Sequence, residues 1–530
     1  MKRIDKPAKH LAILLAAAAY LLPSTCVNAQ MGGFNMGNFQ IENMFSKVQH
    51  TKMEHLESNL PVITITTDTP LNAQKKVMAK MKMDGYDGNI GIKLRGNSSL
   101  TFNQKKYTIE TRDADGKEQN VSLLGMPEAS SWVLLSPYND VSMMRDPLAF
   151  HLWREMGHWG PRTQMVEVLM DGEYLGIYIL SEAIKRGESR VNIDKMEATD
   201  VEGRNLTGGY LLRIDTYNEE DATFPSKVPG IGEGIMDSQI TWSCIYPKKK
   251  NLLPEQMAYI QHYVDEMEQV IQSDDFANPQ TGYAHYIDVP SFVDYFIHTE
   301  LSMNADGFKR SAYFYKERQK DDGTGGKLFA GPVWDYNLAY GNCNFCNADK
   351  IDAWCFEGGN TQPTPAFWQR LLQDPAFQRA VKTRYQTLRK TVLSDRAIYA
   401  YIDQHSRMLD KAKERHFKEY PELLANEKEN VSRPQPKTGN FGGFFGAFLT
   451  PGGFHAPNGA TMNAISWFAA YRVSSYEEEI KMLKQWFSDR LSFLDKNIER
   501  FGKDFEPHIQ TPTEIKPSFD GGFPFPSFHF

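Results

Sequence analysis

The feature that most constrains this chain is a change of hydrophobic period near Pro254. Upstream, short β-branched and aromatic runs alternate with period two and end at turn residues. These runs are Leu60–Thr67, Ile90–Arg95, Lys105–Glu110, Met165–Met170, Tyr174–Leu180, Gly208–Ile214 and Gln239–Pro247. The Asp171-Gly172 turn between two apolar arms is a strong hairpin signal. One helix interrupts this half, over Ser142–Trp153, with Leu148 and Leu152 on its apolar stripe. Downstream the period becomes helical, over Gln256–Ile271, from Asp288-Val289-Pro290 to Leu301, over Pro365–Val392, Asp395–Leu424 and Ser474–Phe501. Strands first and helices after predict an α+β fold in two lobes, β-rich over 58–200 and mostly helical over 201–505. A cleft is expected between them.

The junction carries the chemistry. Glu300–Asn342 reads as a helix end, a loop with Asp306, a β-hairpin and a second acidic turn at Asp335. Tyr313-Phe314-Tyr315 and Lys327–Ala330 are the apolar arms, and Glu317–Gly326 is the turn. Such a hairpin holds the two carboxylates at a fixed separation on one sheet edge. Protein kinases use the same order, with one Asp serving the acceptor hydroxyl and the next holding magnesium. Two turn-capping carboxylates are the plain alternative, because Asp is a common turn residue.

Two further places suit a phosphate. Gly96-Asn97-Ser98-Ser99 followed by Lys105-Lys106 offers turn N–H groups and ammonium charge, although an ordinary hairpin with a solvated Lys pair has the same signature. Arg145 falls in the first turn of its helix, where the dipole disfavours a cation, so an anionic partner or a surface salt bridge is expected.

Compartment follows from the first residues. Lys2, Arg3, Lys6 and Lys9 precede the apolar run Leu11–Leu22, too short to span a bilayer, and Val27-Asn28-Ala29 offers a cleavage site before Gln30. An uncleaved anchor or a lipid on Cys26 are the alternatives. The expectation is a signal peptide over 1–29 and an exported protein without a membrane span, in the periplasm, at the cell surface or outside the cell. The formal net charge of −7 becomes more negative without that basic leader, and no basic stripe stands out, which excludes nucleic acid as a natural partner. Cys244, Cys343, Cys346 and Cys355 remain. Export favours disulfides among them, while the Cys343-x-x-Cys346 spacing keeps a zinc site open. Residues 30–57 read as a flexible lead, and Gly/Phe-rich segments at 434–462 and 506–530 as an insertion and a tail.

Several motifs in order resemble the CotH kinase family. They are Leu94-Arg-Gly-Asn-Ser-Ser99, Lys105-Lys106-Tyr107, Leu123-Leu-Gly-Met-Pro127, Trp132-Val-Leu-Leu135, Met144-Arg145, Gly172–Tyr178 with Glu182, Gly208–Leu212, Asn304-Ala-Asp306 and Pro332-Val-Trp-Asp335. The resemblance covers about residues 58–505. It implies an atypical protein-kinase-like fold and ATP-dependent, Mg2+- or Mn2+-dependent phosphorylation of Ser or Thr on a protein at the cell surface or in the periplasm. It assigns Asp306 to the acceptor hydroxyl and Asp335, with Asn337, to the metal. It places Lys106, with Lys105 as the alternative, and Arg95 and Arg145 near the phosphates, and Glu182 near the adenine hinge. Two positions depart from the kinase pattern: Ser311 stands where a catalytic loop has Asn, and Asn337 where family members often have Asp. ATP is scarce outside the cytoplasm, so the second expectation is a kinase-like fold acting as a surface adhesin or binding module. Retention of Lys106, Asp306 and Asp335 together favours catalysis, whereas a glycosidase using the Asp306–Asp335 pair does not suit the surrounding motifs.

Overall fold

The computed structural model describes residues 49–96, 98–215, 218–231, 239–344, 346–357, 363–425 and 472–508. The expected leader, most of the lead, the Gly/Phe-rich insertion and nearly all of the tail lie outside these.

The fold is mixed α+β. Strands β1 (Val62–Thr67), β2 (Val77–Met83), β3 (Tyr86–Arg95), β4 (Lys106–Arg112), β5 (Ser131–Leu135), β6 (Thr163–Met170) and β7 (Glu173–Glu182) close a barrel in the order β1-β2-β3-β4-β5-β7-β6. All neighbours are antiparallel except the closing pair, β1 with β6, which is parallel. Alternation drives closure. In β2 the residues Val77, Ala79, Met81 and Met83 are buried while Met78, Lys80 and Lys82 face water. Ile63, Ile65, Met81, Ile90, Ile92, Ile109, Trp132, Leu134 and Val168 fill the interior. Each fully buried aliphatic side chain there contributes about 1.5–3 kcal/mol. Between β5 and β6 runs helix α1 (Arg145–Glu155), buried on nearly every face.

A second sheet, order β12-β11-β8-β10-β9, is built from β8 (Tyr210–Ile214), β9 (Ala222–Pro225), β10 (Thr241–Tyr246), β11 (Ala312–Lys316) and β12 (Leu328–Ala330). The mostly helical half therefore has a five-stranded sheet within it. Around that sheet stand α2 (Pro254–Gln272), α3 (Val289–Ser302), α4 (Ala366–Leu371), α5 (Pro375–Arg389), α6 (Asp395–Met408), α7 (Ala412–Glu419) and α8 (Tyr476–Ile498). The helix expected over Pro365–Val392 is two helices, because Asp374 caps a new one at Pro375 by accepting from the Ala376 N–H. The one expected over Asp395–Leu424 likewise breaks between Met408 and Ala412.

Barrel and helices are joined by polar contacts that leave little slack. Arg415 on α7 forms a forked pair with the fully buried Glu167 of β6. The Ile177 N–H donates to His416 Nδ1, and the Tyr420 hydroxyl to the Leu175 carbonyl. Residues 50–53, at the end of the expected flexible lead, are pinned here too. His50 and the Thr51 N–H contact Glu419, and the Met53 N–H donates to the Gly172 carbonyl.

Candidate active site

Asp306 and Asp335 flank the β11–β12 hairpin, as the sequence predicted. Helix α3 ends at Ser302, and Met303 reverses the chain in the left-handed region at φ 46°. The Asp306 N–H then donates to Asn304 Oδ1, and the Asp306 carbonyl accepts from the N–H groups of Lys309 and Arg310. This compact turn presents a half-buried carboxylate. Burial pushes the Asp306 carboxyl above its ordinary range. Asp335 and Asp215 push it further, and Arg310 and Lys309 oppose them. Asp215 lies beside it because β8 pairs with β11, which sets Ser311 Oγ 3.4 Å from Asp215 Oδ2.

Beyond the hairpin, Asp335 also takes left-handed backbone, φ 63°. A non-glycine residue holds that conformation only where its surroundings fix it. Here they do. The next N–H, that of Tyr336, donates to Asp146 Oδ1 at 2.6 Å, and Asn304 Nδ2 donates to the Asp335 carbonyl at 3.3 Å. Asn337 donates its amide to Asn139, and Asn342 donates to the carbonyls of Asn139 and Asn337. The segment 139–146 is thus stitched along the turn 335–342.

The barrel delivers the cations. Arg95 ends β3 opposite Lys106, which starts β4. Lys106, only 7% exposed, places Nζ 3.6 Å from Asp335 Oδ1. The Arg95 guanidinium lies 5.3 Å over the ring of Trp334, one residue before Asp335. Lys106, Arg95, Asp306, Asp335 and Asn337 therefore come together from two segments at least 200 residues apart.

Three expected residues do not join them. Lys105 turns back and donates to the Leu100 carbonyl. Arg145 is fully buried and pairs with Asp140 and Glu479, so the anionic partner its position called for is the protein's own. Glu182 is likewise fully buried at the end of β7, with Arg162 and Arg190 each 2.8 Å from Oε1, so its carboxylate serves those two guanidinium groups. Asp146, which sits 4% exposed next to the conspicuous Arg145, joins the site without a sequence motif to mark it. Burial and the Asp335 charge raise the Asp146 carboxyl to about 7, against Lys106 and the Tyr336 N–H. The signal available was an acidic residue in the first turn of α1, where a helix favours one.

Neither expected cysteine arrangement is found. All four cysteines are buried without a disulfide, and among the described residues no three His, Cys, Asp or Glu side chains group to hold a metal. Cys244 belongs to β10, while Cys355 Sγ donates to the Asn304 carbonyl, beneath the Asp306 turn.

A family model described as CotH kinase protein matches residues 92–494, well over half of the chain. The chain belongs to the CotH kinase family. It is also similar to the inner spore coat protein H of Bacillus subtilis (strain 168), at 23% identity over 318 residues, which is 60% of this chain and 75% of that protein. The matched region contains Lys106, Asp146, Asp306 and Asp335, and of α8 it takes in all but the last turn. No helix among the described residues of this CotH chain is long and apolar enough to cross a membrane.

Proposed function

We propose that this CotH chain is an exported protein kinase that transfers the γ-phosphate of ATP to a Ser or Thr hydroxyl of a secreted or surface protein. The barrel and the helical part act as the two lobes of a kinase-like fold. The observation that carries this reading is the meeting of Lys106, from the barrel, with Asp335, from the helical part, across the hairpin from the half-buried carboxylate of Asp306.

The residues fit a hard divalent cation. The half-exposed Asp335 carboxylate and the Asn337 amide oxygen are oxygen donors of the kind Mg2+ or Mn2+ takes. Fewer than three acidic or imidazole ligands suffice when phosphate oxygens complete the shell. Bound there, the cation would neutralise charge on the transferring phosphoryl group. The Lys106 ammonium binds the phosphates by charge-assisted hydrogen bonds, and the Arg95 guanidinium adds positive potential on the same side. Asp306 accepts the proton of the acceptor hydroxyl as its oxygen bonds to the γ-phosphorus. The bond from that phosphorus to the β,γ-bridging oxygen breaks, and ADP leaves. The raised carboxyl of Asp306 suits a base, because a pKa nearer the working pH gives stronger proton transfer.

The adhesin reading rests on the scarcity of ATP outside the cytoplasm and on Gly/Phe-rich segments outside the described residues. One experiment separates the two. Thermal unfolding of the mature chain is followed with ATP and Mg2+ or Mn2+, beside the Asp335→Ala variant. A rise in Tm that vanishes in the variant supports the kinase. No rise with any nucleotide–metal pair overturns it and leaves the binding module.

A further inference from the structure

The last helix, α8, touches the segments that carry Arg145, the Asp335 turn and the end of α3 before Asp306, although its start lies 141 residues beyond Asp335 in the chain. Near its N-terminus Glu479, 1% exposed, accepts from Arg145 Nη1 at 2.6 Å. Arg145 also pairs with Asp140 and donates from Nε to the Ala339 carbonyl at 3.0 Å, inside the turn that follows Asp335. Two turns further along the helix, Phe487 packs on Tyr340 with ring centroids 4.8 Å apart. Trp486 lies so close to Gly341 that a Cβ there would fall 2.6 Å from its ring. One turn on, Arg490 donates to the Glu300 carbonyl from Nε and Nη2 and pairs with the Glu300 carboxylate at 3.2 Å. Glu300 belongs to the last turn of α3, immediately before the Asp306 loop.

A buried trio of Asp140, Arg145 and Glu479 gains little stability over an apolar trio of the same volume. Its effect is directional. A planar guanidinium held by two carboxylates has one orientation, and that orientation aims Nε at the Ala339 carbonyl. We infer that α8 sets the Asp335 turn and the Asp306 loop in register with each other, and that Glu479, acting through Arg145, is a positioning residue for the Asp335 turn. The inference stands on packing geometry, and it rests on the kinase reading only for its consequence in metal binding.

The test is hydrogen exchange on the full mature chain, read at the N–H groups of Tyr336, Ala339, Tyr340 and Asn342, all of them bonded within the site. Glu479→Gln keeps the shape and removes the charge that orients Arg145. Exchange at these four amides is expected to quicken about tenfold, the loss of one charge-assisted hydrogen bond. Amides of β2 to β4 should stay as slow as before. A second variant, Asp140→Asn with Arg145→Met and Glu479→Gln, removes the buried charges together. It should recover the wild-type Tm and still exchange fast in the turn, which a purely stabilising trio would not do. Unchanged exchange in Glu479→Gln, uniform quickening across the barrel, or a slow turn in the triple variant would each overturn the inference. Binding of Mn2+ with ATP to the same proteins is the separate arm. A wild-type chain that binds neither defeats the kinase reading and leaves the exchange result to decide this one.

Discussion

Lys106→Met is the sharpest perturbation of the site. Methionine matches the stem of a side chain that is 7% exposed, so the barrel interior is undisturbed. What leaves is the ammonium 3.6 Å from Asp335 Oδ1. At that separation a unit charge pair is worth about 1 kcal/mol in water and about 5 kcal/mol at an effective dielectric of about 20. Asp335 is 36% exposed, so the lower part of that range applies, about 1–2 kcal/mol. The free protein should lose a few degrees of Tm at most. The effect with nucleotide should be larger. At a hundred times its Kd, ATP with Mg2+ stabilises the wild type by about 2.7 kcal/mol. Loss of one hydrogen bond to a charged phosphate, about 1.5–3 kcal/mol, weakens Kd by about ten- to a hundredfold. At the same concentration the nucleotide-induced rise in Tm should then shrink to within a degree or two, and phosphoryl transfer should fall in step. An undiminished rise in Lys106→Met would refute the placement of this ammonium on the phosphates.

Three other outcomes are expected. Asp306→Asn should lower kcat by about 10²–10⁴ while the nucleotide-induced rise in Tm persists, since a base is removed and the metal side is intact; loss of both would argue against a base. Glu268 is buried and accepts from Ser226 and Trp242, and burial holds its carboxyl up at about 7. The folded state therefore keeps a proton that the unfolded chain has released, so this group costs stability as pH rises from about 4.5 to about 7, by up to about 3 kcal/mol. Glu268→Gln should then unfold at a higher Tm than the wild type at pH 8, with the gap closing towards pH 5; a gap independent of pH would contradict this. Glu167→Ala leaves the Arg415 guanidinium at the barrel surface without its carboxylate and Tyr174 without its acceptor. It should cost about 3 kcal/mol in denaturant unfolding, and a change under about 1 kcal/mol would show that this junction does not hold the barrel to α7.

How much of this was legible depended on whether the signal was local. The hairpin Met165–Leu180 is legible to within two residues at each end because its turn and both arms are contiguous. Strand β2 is not legible in the sequence although its alternation is complete. Met, Ala and Lys are weak strand formers, and only pairing with β1 and β3 makes that alternation visible. Closure of the barrel by the parallel β1–β6 pair joins residues more than 100 apart, and no short window of sequence contains it.

The site divides in the same way. Asp306 and Asp335 stand out because one hairpin carries both, and Lys106 because its motif does. Arg145 shows the limit of that logic. A cation in the first turn of a helix demands an anion, and the sequence gives no reason to look 334 residues ahead for it at Glu479. Once Arg145 is paired, its neighbour becomes the residue of interest, because the same first turn of α1 then aims Asp146 at the N–H after Asp335. Two adjacent side chains thus grip the Asp335 turn at two places, Tyr336 and Ala339. A turn held at two places by a buried helix has one conformation, and a carboxylate in left-handed backbone needs that support to stay aimed at Lys106.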